Sequence, residues 1–280
     1  MNRRAFLTAL GAVATSRRFA PLAVQQLTDP SPVPVLRFPY LQNVTNGRAS
    51  ILWATFELAV GQVRYTSDGI NYQTVVATAR PFSASTDMGL STDCVQYQAD
   101  LTGLSPNTNY FYIVSMNGQD IASAGEARFS TAGTGPFKFV VVGDSGWGDI
   151  QSDAQGKIAN LIAGEKPALV VHTGDLVYNP TGTFDSYQRN YFNYFAPAMC
   201  CAPFYPCPGN HEYDVPNAIP YLSVHSLPSE NVPIPDRGRY YSFDWGNVHF
   251  VSIDAYQSFN QAVNSNGPML RWLDNDLRST

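Results

Sequence analysis

The 280-residue sequence predicts two successive domains of different class, an all-β sandwich followed by an α/β unit. Three observations carry that division. Residues 33–132 alternate apolar and polar side chains between short turns, with the period of two that half-buried strands require. The stretch TAGTGP, residues 131–136, then reads as a linker. Beyond it, continuous apolar runs alternate with a helical pattern, as in a parallel sheet with crossover helices. With 44% hydrophobic and 14% charged side chains, the chain can bury two cores and is excluded from the disordered class.

In chain order, the first segment is MNRRAFLTALGAVA, where Arg3 and Arg4 precede Phe6, Leu7 and a run of small residues. It resembles a bacterial twin-arginine export signal. Residues 1–28 are therefore expected to be a leader, with cleavage sites open at Ala14 and Ala23, and the protein is expected to be exported, to the periplasm or beyond. The apolar run is far shorter than the roughly 20 residues that span a bilayer, so no stable membrane anchor is expected.

A proline-rich connector, DPSPVPVLRFP (residues 29–39), leads into the first domain. In VQYQADL, Val95, Tyr97, Ala99 and Leu101 face one way while Gln96, Gln98 and Asp100 face the other. The runs ILWATF, QVRYT and NYFYIVSM extend the pattern, with turns such as SDG and MNG between them. Residues 104–110, LSPNTNY, resemble the tyrosine corner of fibronectin type III sandwiches, which implies that fold for residues 33–132. A sandwich of that kind is a scaffolding or interaction unit and carries no chemistry of its own.

The second domain, residues 136–280, opens with KFVVVGD, a run expected to be buried on both faces. Ala154, Ile158, Leu161 and Ile162 then fall on one helical face, expected to be the packed one. ALVVHTGD is the next strand and completes a βαβ unit. PFYPCPGNHEY supplies a third passage from strand to loop, YYSFDWGNVHFVSID predicts a hairpin about Gly246-Asn247, and GPMLRWLDNDL predicts a helix with Pro268 in its first turn.

The net charge of −5 provides no basic track for a phosphate backbone, so nucleic acid is excluded as a partner. Cys94, Cys200, Cys201 and Cys207 lack the spacing of a zinc site; buried thiols or one local bridge near Cys207 account for them.

The chemistry lies in three polar clusters, each directly after an apolar strand: Gly143-Asp144-Ser145-Gly146, Gly174-Asp175-Leu176-Val177-Tyr178 and Gly209-Asn210-His211-Glu212. Loops that leave the carboxyl ends of parallel strands converge, so the three are expected to line one crevice. One Gly-Asp pair is an ordinary strand-ending turn. In order, however, G-D-x-G, G-D-x-x-Y and G-N-H-E resemble the calcineurin-like metallophosphoesterases and, through Tyr178, their purple acid phosphatase branch. Where many other relatives carry Asp-x-His in the first cluster, this chain has Gly146.

That resemblance implies Asp144 and Tyr178 as ligands of Fe(III), Asp175 as the carboxylate bridging both metals, and Asn210 as a ligand of a divalent Fe, Zn or Mn ion. It also implies that Asn210 and His211 bind substrate, with His211 the catalytic residue that contacts the phosphate or protonates the leaving alkoxide, and Glu212 available to orient it. A phenol is protonated up to about pH 10, so Tyr178 needs a strong positive charge beside it to bind as phenolate. Two ions about 3.5–4 Å apart would clamp the attacking and leaving oxygens of a phosphoryl transfer. His172 and His249 are read as core or sheet-face side chains, and His225 as a loop histidine away from the substrate.

The resemblance further implies three histidines, in a V-x-x-H-like segment and in G-H-x-H. The chain's four histidines stand in neither motif. The expectation is a C-terminally incomplete α/β metallophosphoesterase sandwich, weakly active or inactive as it stands. Complete, it would be an acid phosphatase hydrolysing phosphate monoesters by metal-bound hydroxide. A phosphodiesterase on the same centre, and a non-catalytic adhesion or scaffold protein with a vestigial metal domain, are the alternatives.

Overall fold

A computed structural model of the chain describes residues 33–148, 153–178, 182–256 and 267–280. The expected leader, residues 1–28 with Ala14 and Ala23, lies outside the described residues. Among the described residues no helix is long and apolar enough to cross a membrane.

Nine strands build the first domain: β1 (Val35–Gln42), β2 (Arg48–Thr55), β3 (Gly61–Thr66), β4 (Gln73–Val76), β5 (Thr78–Phe82), β6 (Cys94–Thr102), β7 (Asn109–Met116), β8 (Gln119–Asp120) and β9 (Arg128–Ser130). One sheet runs β1-β2-β6-β5 and the other β4-β3-β7-β8, with β9 also on β7, and every pairing is antiparallel. The inward side chains of β6 are Val95, Tyr97, Ala99 and Leu101, as the alternation requires. Tyr97 stacks on Trp53 with ring centroids 5.3 Å apart. The tyrosine corner is formed: the Ser105 N–H donates to Tyr110 Oη at 2.9 Å.

The second domain begins with β10 (Phe139–Val142), α1 (Ala154–Glu165), β11 (Leu169–His172), α2 (Phe184–Tyr187), a wide π-type turn (Gln188–Phe192), α3 (Asn193–Met199) and β12 (Phe204–Pro206). The three strands form a parallel sheet in the order β10-β11-β12. A short 3₁₀ turn, His211–Asp214, follows β12; then come α4 (Ile219–Val224), the hairpin β13 (Tyr241–Trp245) and β14 (Val248–Ser252), and α5 (Pro268–Ser279). Gly246 turns the hairpin at φ 64°, and Pro268 starts α5 at its first position.

Two expectations of burial fail here. β10 pairs with β11 alone among the described residues. Phe139 and Val141, two residues apart and so on one face of the strand, are 42% and 55% exposed, so that face of the apolar run is not covered among the described residues. On α1 the stripe Gln155, Ala159 and Ile162 is buried, whereas Ile158 and Leu161 are 46% and 70% exposed. The helix is rotated toward Gln155 because that amide receives the Gly148 N–H and donates to the Asn190 carbonyl, partners that a leucine could not satisfy. All four cysteines are free thiols, and no bridge forms at Cys207.

The seam between the domains is polar and specific. Arg37 of β1 donates to Gln188 and Gln96 at 3.0 Å each, with its guanidinium 3.9 Å over the Phe192 ring. Gln96 in turn donates to the Ser223 carbonyl, and Tyr40 Oη to that of Val224 at 2.6 Å. The outward glutamine of β6 thus meets the second domain instead of water. Buried apolar side chains of both domains belong to one continuous core.

Candidate metal centre

Parallel pairing puts the ends of β10, β11 and β12 side by side, and the three polar clusters leave from those ends together. Asp144 and Asp175 take the same corner, each at φ 53°. This left-handed region is costly for most side chains and tolerated by Asp. The turn is therefore made by the aspartates themselves, and both leave their strands in the same local geometry. The Asp144 N–H donates to the Gly174 carbonyl at 3.1 Å, and the Ser145 N–H to the Asp175 carbonyl at 3.2 Å, which stitches the first two loops together.

Glycine is required where the loops press closest. A Cβ on Gly146 would lie 2.3 Å from the Leu176 carbonyl oxygen and from Val177 Cα. That close approach lets the Gly146 carbonyl accept the Tyr178 N–H at 2.9 Å. A Cβ on Gly209 would stand 2.2 Å from Asp175 Oδ1.

Tyr178 reaches the middle of the centre. Its hydroxyl is 3.0 Å from Asp144 Oδ1 and 3.0 Å from Asp175 Oδ2. Burial, then the charges of Asp175 and Asp144, hold its phenol well above the usual value. Trp147 stacks on the ring at 4.7 Å and 12°, and the His211 ring lies 4.4 Å from it. Trp147 itself is 43% exposed, a large aromatic at the rim that the motif pattern did not single out.

The third loop is held by Glu212, which is fully buried. Its carboxylate accepts the Gly209 N–H at 2.7 Å and the Asp175 and Leu176 N–H groups at 2.9 Å each. Burial pushes its carboxyl up to about 7 against the pull of those donors. Glu212 therefore orients the Asp175 loop and not His211, whose Nδ1 lies 2.8 Å from Asp214 Oδ2. The His211 backbone N–H donates to Asp175 Oδ1 at 3.1 Å, which brings the third loop against the second. Asn210 is exposed at the corner before it.

The other histidines are placed as follows. His172 is fully buried beneath the loops and His225 is buried among Tyr187, Tyr191, Phe192 and Tyr221; burial holds each ring down to about 3. His249 lies between Asp244 and Asp276, away from the centre.

The donor chemistry fits a hard cation. The Tyr178 phenol stands at hydrogen-bond distance from both carboxylates, a set of hard oxygen donors of the type that suits a hard cation. Among the described residues no group of three or more His, Cys, Asp or Glu able to hold a metal ion forms, at this centre or away from it, so the phenol of Tyr178 is what joins the two carboxylates.

A family model described as "Calcineurin-like phosphoesterase" matches residues 137–278. Purple acid phosphatase 23 of Arabidopsis thaliana is 28% identical over 208 residues, covering 63% of this chain and 43% of that protein. "Probable inactive purple acid phosphatase 9" of the same plant is 28% identical over 142 residues, covering 41% and 21%. Among solved structures, purple acid phosphatase PPD1 from yellow lupin (Lupinus luteus) seeds superposes with a TM-score of 0.71 at 20% identity over 92% of this chain and 52% of that one. PhoD superposes with a TM-score of 0.56 at 16% identity over 82% and 53%. The chain thus spans less than half the length of these curated relatives and about half that of the two structures, whose likeness shows the fold. The family match runs from the start of β10 almost to the end of α5, through all three clusters, and the chain belongs to the calcineurin-like phosphoesterases.

Proposed function

We infer that residues 136–280 form the metal-binding part of an acid phosphatase that hydrolyses phosphate monoesters, docked on the sandwich of residues 33–132. The observation that carries this reading is the Tyr178 hydroxyl at 3.0 Å from both aspartates. Asp144 and Tyr178 would hold a ferric ion, Asp175 would bridge to a divalent Fe, Zn or Mn ion, and Asn210 would add to the second. Bound there, such a pair supplies Lewis acidity, an acidified water and a clamp on phosphoryl oxygens.

The chain's own side chains do the rest. Trp147 stacks on the Tyr178 ring and the His211 ring packs tilted beside it. Glu212 fixes the Asp175 loop by accepting the Asp175 and Leu176 N–H groups, and ties it to the third loop by accepting that of Gly209. Asp214 accepts from His211 Nδ1, which leaves Nε2 to donate, when protonated, to a phosphoryl oxygen or the departing alkoxide. Export through residues 1–28 belongs to the same proposal.

Reconstitution with Fe(III) and Zn²⁺ tests it. The expected result is a visible phenolate-to-iron absorption, lost in Tyr178→Phe, together with phosphate release from phenyl phosphate at acid pH. A band unchanged by Tyr178→Phe sinks the iron-ligand assignment. Turnover confined to a diester such as bis(p-nitrophenyl) phosphate favours the phosphodiesterase. A second reading, a scaffold without activity, draws on the relative whose name calls it inactive; absence of both the phenolate band and turnover on either ester would favour it.

A further inference from the structure

Beneath the two aspartates lies a side chain that the reading above does not use. His172 ends β11 fully buried, with the rings of Tyr191 and Phe195 edge-on to it at centroid distances of 5.8 and 6.4 Å. Both of its ring nitrogens are engaged. The Gly174 N–H approaches Nδ1 at 3.3 Å. An amide can only donate, so Nδ1 is the bare nitrogen and Nε2 carries the proton. Nε2–H then donates to Ser145 Oγ at 2.7 Å.

The identity of those two partners is what matters. Ser145 follows Asp144 and Gly174 precedes Asp175, so one imidazole spans the gap between the two loops that carry the acids. His225, the other histidine buried among aromatic rings, behaves differently. Its Nδ1 pairs with the carbonyl of Tyr221 on the preceding turn, and its Nε2 has no partner among the described residues. His225 fills a core, whereas His172 joins two loops. Such a join steadies the corners that Asp144 and Asp175 both take at φ 53°, the left-handed region that costs more for a side chain than for glycine.

We propose that His172, as its Nε2–H tautomer, is a positioning residue of the centre: by holding Ser145 and Gly174 it sets the separation of the Asp144 and Asp175 carboxylates and hence their affinity for a cation. It touches neither cation nor substrate. The inference rests on the metal-centre reading above.

The test uses the full chain and Mn²⁺ alone as probe, with three readouts: calorimetric affinity, amide exchange resolved by residue, and the ¹⁵N shifts of the His172 ring. In His172→Ala, Mn²⁺ affinity is expected to fall by about 10–100-fold, the range seen when a group that orients metal ligands is removed. Exchange at Asp144, Ser145 and Gly174 should quicken while β2 and β6 keep their protection. His172→Gln, whose amide can donate to Ser145 in place of Nε2–H, should recover most of the affinity. An Nδ1–H tautomer in the wild type, or His172→Ala with unchanged affinity and exchange, overturns the proposal. If the wild type takes up no Mn²⁺, the metal reading fails, while exchange and tautomer still decide on the brace. Should His172→Ala not fold, Ser145→Ala removes the Nε2 partner alone. Faster exchange at Asp144 in that variant supports the brace, and unchanged exchange overturns it.

Discussion

The sandwich and the three-loop centre are held together by opposite means. In the sandwich, the fully buried side chains include those of Trp53, Leu52, Ile51, Val63, Tyr97, Ala99 and Leu101, and stability grows with the apolar area removed from water. At the centre, His172 and Glu212 are equally buried yet polar, and each holds a neighbouring loop by hydrogen bonds. Loss of a sandwich side chain leaves a cavity whose cost is graded with volume. Loss of a brace leaves donors without acceptors and lets an aspartate move. The first kind of damage should appear in stability and the second in ligand binding.

The sharpest way to break that distinction is Asp175→Asn. It keeps the shape of the side chain and should leave the melting temperature near the wild-type value while weakening Mn²⁺ binding by more than about 100-fold, the upper range for loss of a group that only orients ligands. A titration showing wild-type affinity would remove Asp175 from the centre. Trp53→Ala is the counterpart. It should cost about 3–5 kcal/mol in urea unfolding and leave Mn²⁺ affinity of the folded fraction unchanged; a matching loss of affinity would show the two regions to be coupled.

Gly146→Ala tests the close approach of the first two loops. With its Cβ placed 2.3 Å from backbone atoms of Leu176 and Val177, it should cost about 1–3 kcal/mol as overpacking and also weaken Mn²⁺ binding, so it is expected to move both readouts. Stability alone changing would confine the loop contact to a structural role. Tyr110→Phe removes the acceptor of the Ser105 N–H and should cost about 1 kcal/mol in the same unfolding assay, with binding untouched.

The smallest effect concerns pH. Burial works against a charged His249, but hydrogen bonds to Asp244 of β13 and Asp276 of α5 outweigh it and raise the ring above its ordinary value. Thr280 Oγ1 also faces the ring at 3.4 Å, and Ser242 donates to Asp276. The folded protein therefore holds this proton more tightly than the unfolded chain. Its stabilising effect is complete below the unfolded value near 6.5 and is lost as pH rises through the raised one. The wild type should lose a small increment of melting temperature across that window, and His249→Gln should not; parallel curves would dismiss the clamp.

Much of this was legible in the sequence where cause and effect are neighbours. Asp144 and Asp175 lie within three residues of the ends of β10 and β11, so parallel pairing brings them together, while His211 comes five residues after β12 and is drawn in by its own N–H and by Glu212. Tyr110 and Gly246 announce their turns within a few residues. What was not legible depends on partners far along the chain. Leu161 looks like a core residue until Gly148 and Asn190 take Gln155 as theirs. Gln96 reads as solvent-facing until Arg37 and Ser223 meet it. Glu212 suggested a partner for the histidine beside it, but its acceptors serve amides on two loops. Phe139 and Val141 read as doubly covered because an apolar run does not tell which of its two faces another layer will cover.

The seam through Arg37, Tyr40 and Gln96 has a consequence for how the molecule comes apart. Because the buried side chains of the sandwich and of the α/β sheet belong to one core and the polar contacts across it are specific, neither half has a surface ready to face water alone. Heat should therefore release both in one calorimetric transition, with the calorimetric and van't Hoff enthalpies in agreement. In that sense the sandwich is less an appendage than one half of a single cooperative unit.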